Sequence, residues 1–349
     1  MISKVSIRNF KSLRDVHVDL ERFTVFVGPN ASGKSSVLQA LDLLCRTYRI
    51  DHPKNMEGEI TQGLSRGATG PAELAVEVTG QWYRYRTRAT DAPPAQPNAA
   101  KAKWDGGGRG VSSDPATEWK EWKGVPNGAV PLPQSVFLRL EASKLAQAKP
   151  AQPDPTVMAP DGSGLHSALA NIALSDPETW QKLQIHLRQI VPTVRRLRHT
   201  MKGPNNSPAL MLDMHGADSL SADQVSEGTL LVLGLLAALH ASARPNLILL
   251  DDLDRGLHPK AQRELVGLLR GVLEANPDLQ FVATTHSPYL LGRMEPTEVR
   301  MTHLNDAGAT VCDSLTHHPK FPKWKDEMSA GEMWSIFGEK WVVEQEVPA

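Results

Sequence analysis

FTVFVGPNASGKSSVLQAL, residues 23–41, decides the fold of this chain. Its first five residues are a continuous apolar run, which reads as a strand buried on both faces. After Ser35, the residues Val37, Leu38, Leu41, Leu44 and Cys45 recur at helical spacing. Between strand and helix, GPNASGKS (28–35) satisfies GxxxxGK[ST] in full. Gly28 and Gly33 let the backbone turn its N–H groups onto phosphate oxygens. Pro29, Asn30, Ala31 and Ser32 complete the loop, and Ser36 follows in the first turn of the helix. The helix N-terminus adds positive potential. Lys34 is long enough to reach β- and γ-phosphates, and the Ser35 hydroxyl suits Mg²⁺. A chance glycine-rich turn would not need a buried strand before it and an amphipathic helix after it. The expected ligand is ATP or a close relative, with Mg²⁺.

Working outward, the last third of the chain repeats the same strand-then-helix grammar. LILLDD (247–252) is an apolar strand running into two acids. Such a strand delivers its acids to the carboxyl end of a sheet, where α/β folds bind ligands. Asp251 is expected to hold Mg²⁺ through water, and Asp252 to orient or deprotonate the attacking water. Phosphoryl transfer needs that positioning more than it needs covalent chemistry. LQFVATT (279–285) is a second buried strand, and His286 follows it directly. His286 is a candidate γ-phosphate contact; its alternative is a structural histidine at a strand end. SEGT (226–229) opens an apolar helix expected over 228–241. Ser226 and Gly228 there either cap the helix or bind an anion. Residues 258–274 form an amphipathic helix with Ala261, Leu265, Leu268, Leu269 and Leu273 on one face.

Alternation predicts half-buried strands at 2–8 and 16–20, another strand reading over 73–88, and one at 135–140. Residues 194–200 and 210–215 read as a strand pair, and EVRMTHL with ATVCDSL as a hairpin. Residues 141–192 are mainly helical. From about 90 to 133 the chain turns Pro-, Gly- and Ala-rich, which predicts a long flexible insertion. Trp104, Trp119 and Trp122 lie there beside Lys103, Lys120 and Lys123, either as a partner-binding loop or as a flap packed on the body. The fold class expected is therefore α/β: a P-loop NTPase with a mainly parallel sheet flanked by helices. An antiparallel β subdomain and a helical lobe would be added to it, all within one ATPase head over 1–349.

Bulk properties narrow the setting. The 349 residues are 40% hydrophobic and 22% charged, with a formal net charge of −1. That balance gives no global field for nucleic acid or membrane, so any such surface is local. The two cysteines, Cys45 and Cys312, form no CxxC or Cys/His cluster, which argues against zinc and a disulfide framework. No signal peptide or spanning segment is legible, and a reduced, cytoplasmic location is expected. The best basic patch is 182–202, with Lys182, Arg188, Arg195, Arg196, Arg198 and Lys202 and no acid between Glu178 and Asp213. It is either a phosphate-contacting surface or a solvated strand face.

In order along the chain, these motifs resemble the ABC-type ATPase heads of the SMC/RecF/OLD group. More closely, the chain is similar to the small RecF/OLD-like AAA-family ATPases of bacterial DNA-repair and anti-phage defence contexts. The matching stretches are IRNFKSL (7–13), the 23–41 segment, VSEGTLLVLGLLAAL (225–239), LILLDDLDRGLHPKAQRELV (247–266), FVATTHSPYLL (281–291) and SAGEMWSIFGEKWV (329–342). Residues 50–135 carry little of it. The resemblance implies a homodimer, or a higher even oligomer, built as a nucleotide sandwich. Ser226 and Gly228 of one protomer would face the γ-phosphate bound by Lys34 of the other, so that ATP joins the heads and hydrolysis releases them.

The departures shape the functional expectation. Asp252 stands where many ABC ATPases carry Glu, one methylene longer, so slow hydrolysis is expected. The signature is SEG rather than the LSGGQ of transporters, and no Q-loop glutamine is found, which disfavours a transporter subunit. Neither a long coiled coil nor a TOPRIM nuclease domain is expected in this chain, so an effector or nuclease partner in trans is expected. The alternative is an ATP-dependent scaffold or sensor with weak hydrolysis that cages such an effector.

Overall fold

The computed structural model describes residues 1–49, 72–86, 108–112, 131–148, 157–201, 208–241 and 245–344. Most of the 90–133 insertion, with its three tryptophans, lies outside the described residues, as does Lys202. The chain divides into two compact units. The first comprises 1–136, 246–251 and 278–349; the second comprises 137–245 and 252–277.

The first unit is built on the decisive segment. Strand β1 (Ile2–Phe10) pairs antiparallel with β2 (Leu13–Asp19) and, on its other side, with β4 (Glu73–Val78). The sheet continues through β5 (Gln81–Arg86) to β6 (Gly108–Ser112). The single strand reading over 73–88 is in fact a hairpin. Thr79 and Gly80 both have positive φ, 51° and 76°, and Val78 faces Gln81. Two left-handed residues in a two-residue loop match the right-handed twist of the paired strands. Alternation alone cannot register such a turn, because it preserves the period of two.

The second sheet of this unit has β3 (Phe23–Val27) at its heart, every residue of it buried. Among the described residues its order is β14-β13-β3-β12-β11-β7. Here β7 is Ser135–Leu138, β11 Leu247–Leu250, β12 Gln280–Thr285, β13 Val299–Leu304 and β14 Thr310–Ser314. β11, β12, β3 and β13 run parallel, and β14 closes the edge as the antiparallel arm of a hairpin. Continuous apolar runs are what a parallel sheet covered on both faces requires. Helix α1 (Lys34–Arg49) packs Val37, Leu38, Leu41, Leu44 and Cys45 inward, each at most 1% exposed.

The second unit is mainly helical. α2 (Ala142–Leu145), α3 (Leu165–Ser175) and α4 (Pro177–Ile190) precede a small antiparallel sheet. That sheet runs β10-β9-β8, with β8 Val194–Thr200, β9 Ala209–Met214 and β10 Ala217–Ser221. α5 (Glu227–Leu239) is buried on nearly all sides, as its uniformly apolar sequence demands. α6 (Pro259–Glu274) is amphipathic and buries Leu265, Leu268, Leu269 and Leu273, while Ala261 is only half-buried. Neither Cys45 nor Cys312 is in a disulfide. Burial pushes the Cys312 thiol up to about 12, which disfavours the thiolate. Among the described residues no helix is long and apolar enough to cross a membrane.

Candidate functional site

The register of the parallel sheet assembles the first half of the site. Leu250 faces Ala283 and Thr285 faces Val27. Asp251 therefore emerges level with Thr284, and His286 two residues beyond, all at the carboxyl ends where Gly28 begins its loop. Asp251 is the hub. Its Oδ1 accepts from Ser35 Oγ at 2.7 Å and from Thr284 Oγ1 at 2.8 Å. The fully buried Thr284 thus orients a carboxylate beside a serine hydroxyl. Both are hard oxygen donors of the kind Mg²⁺ selects, so the donor set fits that ion.

The loop itself is shaped for an anion. Gly33 has φ 97° and Ala31 φ 63°, left-handed conformations that bring successive N–H groups to one side. A Cβ on Gly28 would lie 2.1 Å from the Thr302 carbonyl oxygen, and one on Gly33 would lie 2.2 Å from Thr310 Oγ1. The glycines are required because the β13–β14 hairpin forms the wall behind the loop. Ser32 Oγ and Thr302 Oγ1 lie 2.7 Å apart, and Thr302 also donates to the Val27 carbonyl. Thr310 Oγ1 donates to Ser12 Oγ at 2.8 Å. Lys34 is 5% exposed, and its ammonium donates to the carbonyls of Gly28 at 2.9 Å and Pro29 at 2.7 Å. A buried cation held by carbonyls at the mouth of a helix is a fitting counter-ion for a polyphosphate. Pro29 and Ser36 are half-buried, whereas Asn30, Ala31 and His286 are exposed.

Asp252, Ser226 and Gly228 belong to the second unit. Asp252 is exposed and sits at φ 54°, a left-handed conformation uncommon outside glycine, found often where geometry serves function. Ser226 caps α5, its Oγ accepting from the Thr229 N–H at 3.3 Å. Capping is thus observed, and an exposed Ser226 at a helix N-terminus is also open to an anion. Gly228 is buried because the loop after Asp252 lies on it: a Cβ there would be 2.2 Å from the Gly256 carbonyl oxygen. Arg255 Nε bonds Glu227 Oε1 at 2.9 Å across the same contact. Beside it, a cleft of about 290 Å³ opens between the end of α4, Ser226 and the first turns of α6, with Ile190, His258 and Lys260 in its lining.

The basic patch is altered by one distant residue. Arg196 and Arg198 both bond the Asp213 carboxylate, which is 4% exposed and also accepts from the Ser219 N–H. Those donors hold Asp213 well below the usual carboxylate range, the Arg198 hydrogen bond contributing most. Arg195 reaches Asp218 at 3.4 Å. Because β9 and β10 fold back on β8, the acids that the linear reading placed beyond the patch lie within it. The supporting threonines Thr284, Thr302 and Thr310, and the Arg255–Glu227 pair, were not legible beforehand. Threonine is an ordinary strand residue, and nothing local links 227 to 255.

Comparison with known proteins agrees with this architecture. Residues 1–80 match the family described as "AAA ATPase domain", and residues 160–292 match "AAA domain, putative AbiEii toxin, Type IV TA system". A 57-residue stretch is 39% identical to the OLD nuclease of Thermus scotoductus, covering 14% of this chain and 11% of that protein. Among solved structures, an SMC head bound to the C-terminal winged-helix domain of ScpA superposes with a TM-score of 0.61. That alignment covers 92% of this chain and 99% of that one at 16% identity. A Pyrococcus furiosus SMC head with an extended coiled coil, bound to the C-terminal domain of ScpA, gives 0.57 over 93% and 99% at 15% identity. At such identities the superpositions speak for the fold alone, and the family matches speak for the motifs. The two family matches, the short OLD-like stretch and the SMC-head fold around a complete phosphate-binding loop together support an ABC/SMC/RecF/OLD-like AAA ATPase.

Proposed function

We propose that this chain binds Mg²⁺·ATP at Gly28–Ser36, hydrolyses it slowly, and joins a second copy through the nucleotide to control an effector or nucleic-acid-processing partner. The observation that carries the reading is the Ser35–Asp251–Thr284 cluster under a loop that holds Lys34 at its mouth. Ser35 and Asp251 would hold the metal, which would supply positive charge to the phosphate during transfer. Lys34 exchanges its two carbonyl partners for phosphate oxygens. Thr284 keeps Asp251 turned toward Ser35. Asp252 orients water, and His286 contacts the terminal phosphate from the end of β12. Ser226 and Gly228 complete the site of the opposite protomer.

The experiment is sedimentation of the full chain with and without Mg²⁺·ATP, with Asp252→Ala alongside. A monomer that becomes a dimer with ATP, and stays one in Asp252→Ala, supports the reading. An unchanged mass in both proteins refutes the sandwich.

A second reading, an ATP-dependent scaffold with weak turnover, is favoured by Asp252 itself. Its carboxylate is short and its backbone left-handed. If Asp252→Glu is no faster than the parent, side-chain length does not limit turnover. The toxin–antitoxin wording of one matched family, and the partner proteins in the two SMC structures, make a protein partner the first to seek. Nucleic-acid contact is proposed through the half-exposed Arg195 and Arg196. Arg195→Glu is the cleaner probe, since Arg196 and Arg198 also hold Asp213. Unaltered, salt-insensitive DNA and RNA binding in that variant would remove this surface.

A further inference from the structure

The signature segment carries an electrostatic contradiction that the structure resolves. Glu227 stands between Ser226 and Gly228, the two residues assigned to receive the partner protomer's nucleotide. In an isolated helix an acid in the first turn is favourable. Facing a triphosphate, the same acid repels the ligand that the helix end is meant to hold, the more so once a second protein excludes water. Arg255 answers it, with its Nε 2.9 Å from Glu227 Oε1. The contact is built by backbone. Gly256, at φ 67°, lies with its carbonyl against Gly228, too close for any Cβ. The turn leading to it is closed by the Arg255 N–H donating to the Asp252 carbonyl at 3.0 Å. One short loop therefore runs from the proposed water-orienting acid to the guanidinium that covers Glu227.

We propose that Arg255 is a positioning residue that neutralises Glu227 and so makes the Ser226–Gly228 helix end competent for the nucleotide phosphate of a second copy of this chain. This rests on the sandwich reading given above. The pair is about half exposed in the single chain, 52% and 43%, where such a bridge contributes little to folding. Its weight falls on association, when phosphate and partner cover it.

The test uses the full chain in the Asp252→Ala background, with Mg²⁺·ATP, reading the dimer dissociation constant by sedimentation. Nucleotide binding to dilute monomer is read in parallel with a fluorescent ATP analogue. Arg255→Ala is expected to weaken the dimer by at least about tenfold while leaving monomer nucleotide binding unchanged. Adding Glu227→Gln to that variant is expected to restore the dimer, and Arg255→Lys to retain it. A packing role alone would not be rescued by removing the facing charge. The proposal is overturned if Arg255→Ala dimerises like its parent, or if Glu227→Gln fails to restore it. If the Asp252→Ala parent itself shows no ATP-dependent dimer, the sandwich reading falls first and this inference with it.

Discussion

Lys34 holds its ammonium against two carbonyls of its own loop, at the point where the loop enters the helix. Lys34→Ala is expected to weaken nucleotide binding by at least ~100-fold in calorimetry, since several charge-assisted hydrogen bonds go with it. Thr284 is a subtler residue. It touches no expected ligand but fixes the rotation of Asp251. Thr284→Val keeps the shape and removes the donor. We expect the Mg²⁺ concentration for half-maximal turnover to rise by about tenfold, with metal-free nucleotide binding unchanged, because outer partners tune a metal site by that much. An unchanged Mg²⁺ requirement would reduce Thr284 to a packing residue. The residues at this scale divide cleanly. Gly28, Gly33, Lys34 and Ser35 were legible because they lie within eight consecutive positions. Thr284, Thr302 and Thr310 were not, because each acts on a residue far away in the sequence.

At the scale of elements, close approach between backbones decides more than side-chain chemistry. α9 (Ala330–Phe337) begins at a capping box, with Ser329 and Glu332 bonding each other's N–H groups. It lies on α7 (Pro288–Leu291), the short helix that follows His286. The contact passes through Gly331, where a Cβ would lie 2.0 Å from the Pro288 carbonyl oxygen. Gly331→Ala is expected to lift α9 from α7 and destabilise the protein by about 1–3 kcal/mol, seen as a lowered melting temperature. The displaced α7 should also weaken nucleotide response, since His286 sits at its base. The tail segment SAGEMWSIF was legible as part of a resemblance. Its task, bracing the turn that carries His286, was visible only when α9 and α7 came together. The hairpin at Thr79–Gly80 teaches the same lesson in reverse: a local turn was missed because the alternating pattern ran through it unbroken.

At the scale of the whole molecule, buried imidazoles set how the chain meets acid. His166 is 2% exposed, and burial lowers it to about 4, though its Nε2 lies 3.0 Å from the Leu145 carbonyl. His199, stacked on Trp180 at 5.0 Å between ring centres, is likewise lowered to about 4 by burial. Both folded values lie below the ordinary 6.5, so the unfolded chain takes up protons first as pH falls. Stability is therefore full above about 6.5 and is lost between 6.5 and 4, with His166 alone contributing up to ~3 kcal/mol. Asp213 adds to the loss only at lower pH, as its Arg196 and Arg198 partners keep it ionised below the usual carboxylate range. Denaturant melts at pH 7.5, 5.5 and 4.5 should show this progressive weakening, and His166→Gln should flatten it. A pH-independent midpoint would mean that these rings are not neutral in the fold.

The sequence by itself determined the nucleotide loop, most of the order of strands and helices, and the acids and histidine at strand ends. Each of those is written in contiguous residues or in a period of 2 or 3.6, which local geometry enforces whatever the rest of the chain does. Only the tertiary structure decided which groups those residues meet. The parallel register brought Thr284 and Ser35 onto Asp251. A glycine-on-glycine contact set Arg255 over Glu227. The fold-back of β9 and β10 turned a run of free arginines into ion pairs around Asp213. In every case the partners are separated by many residues, and no one-dimensional pattern encodes a contact that exists only after the chain has closed on itself.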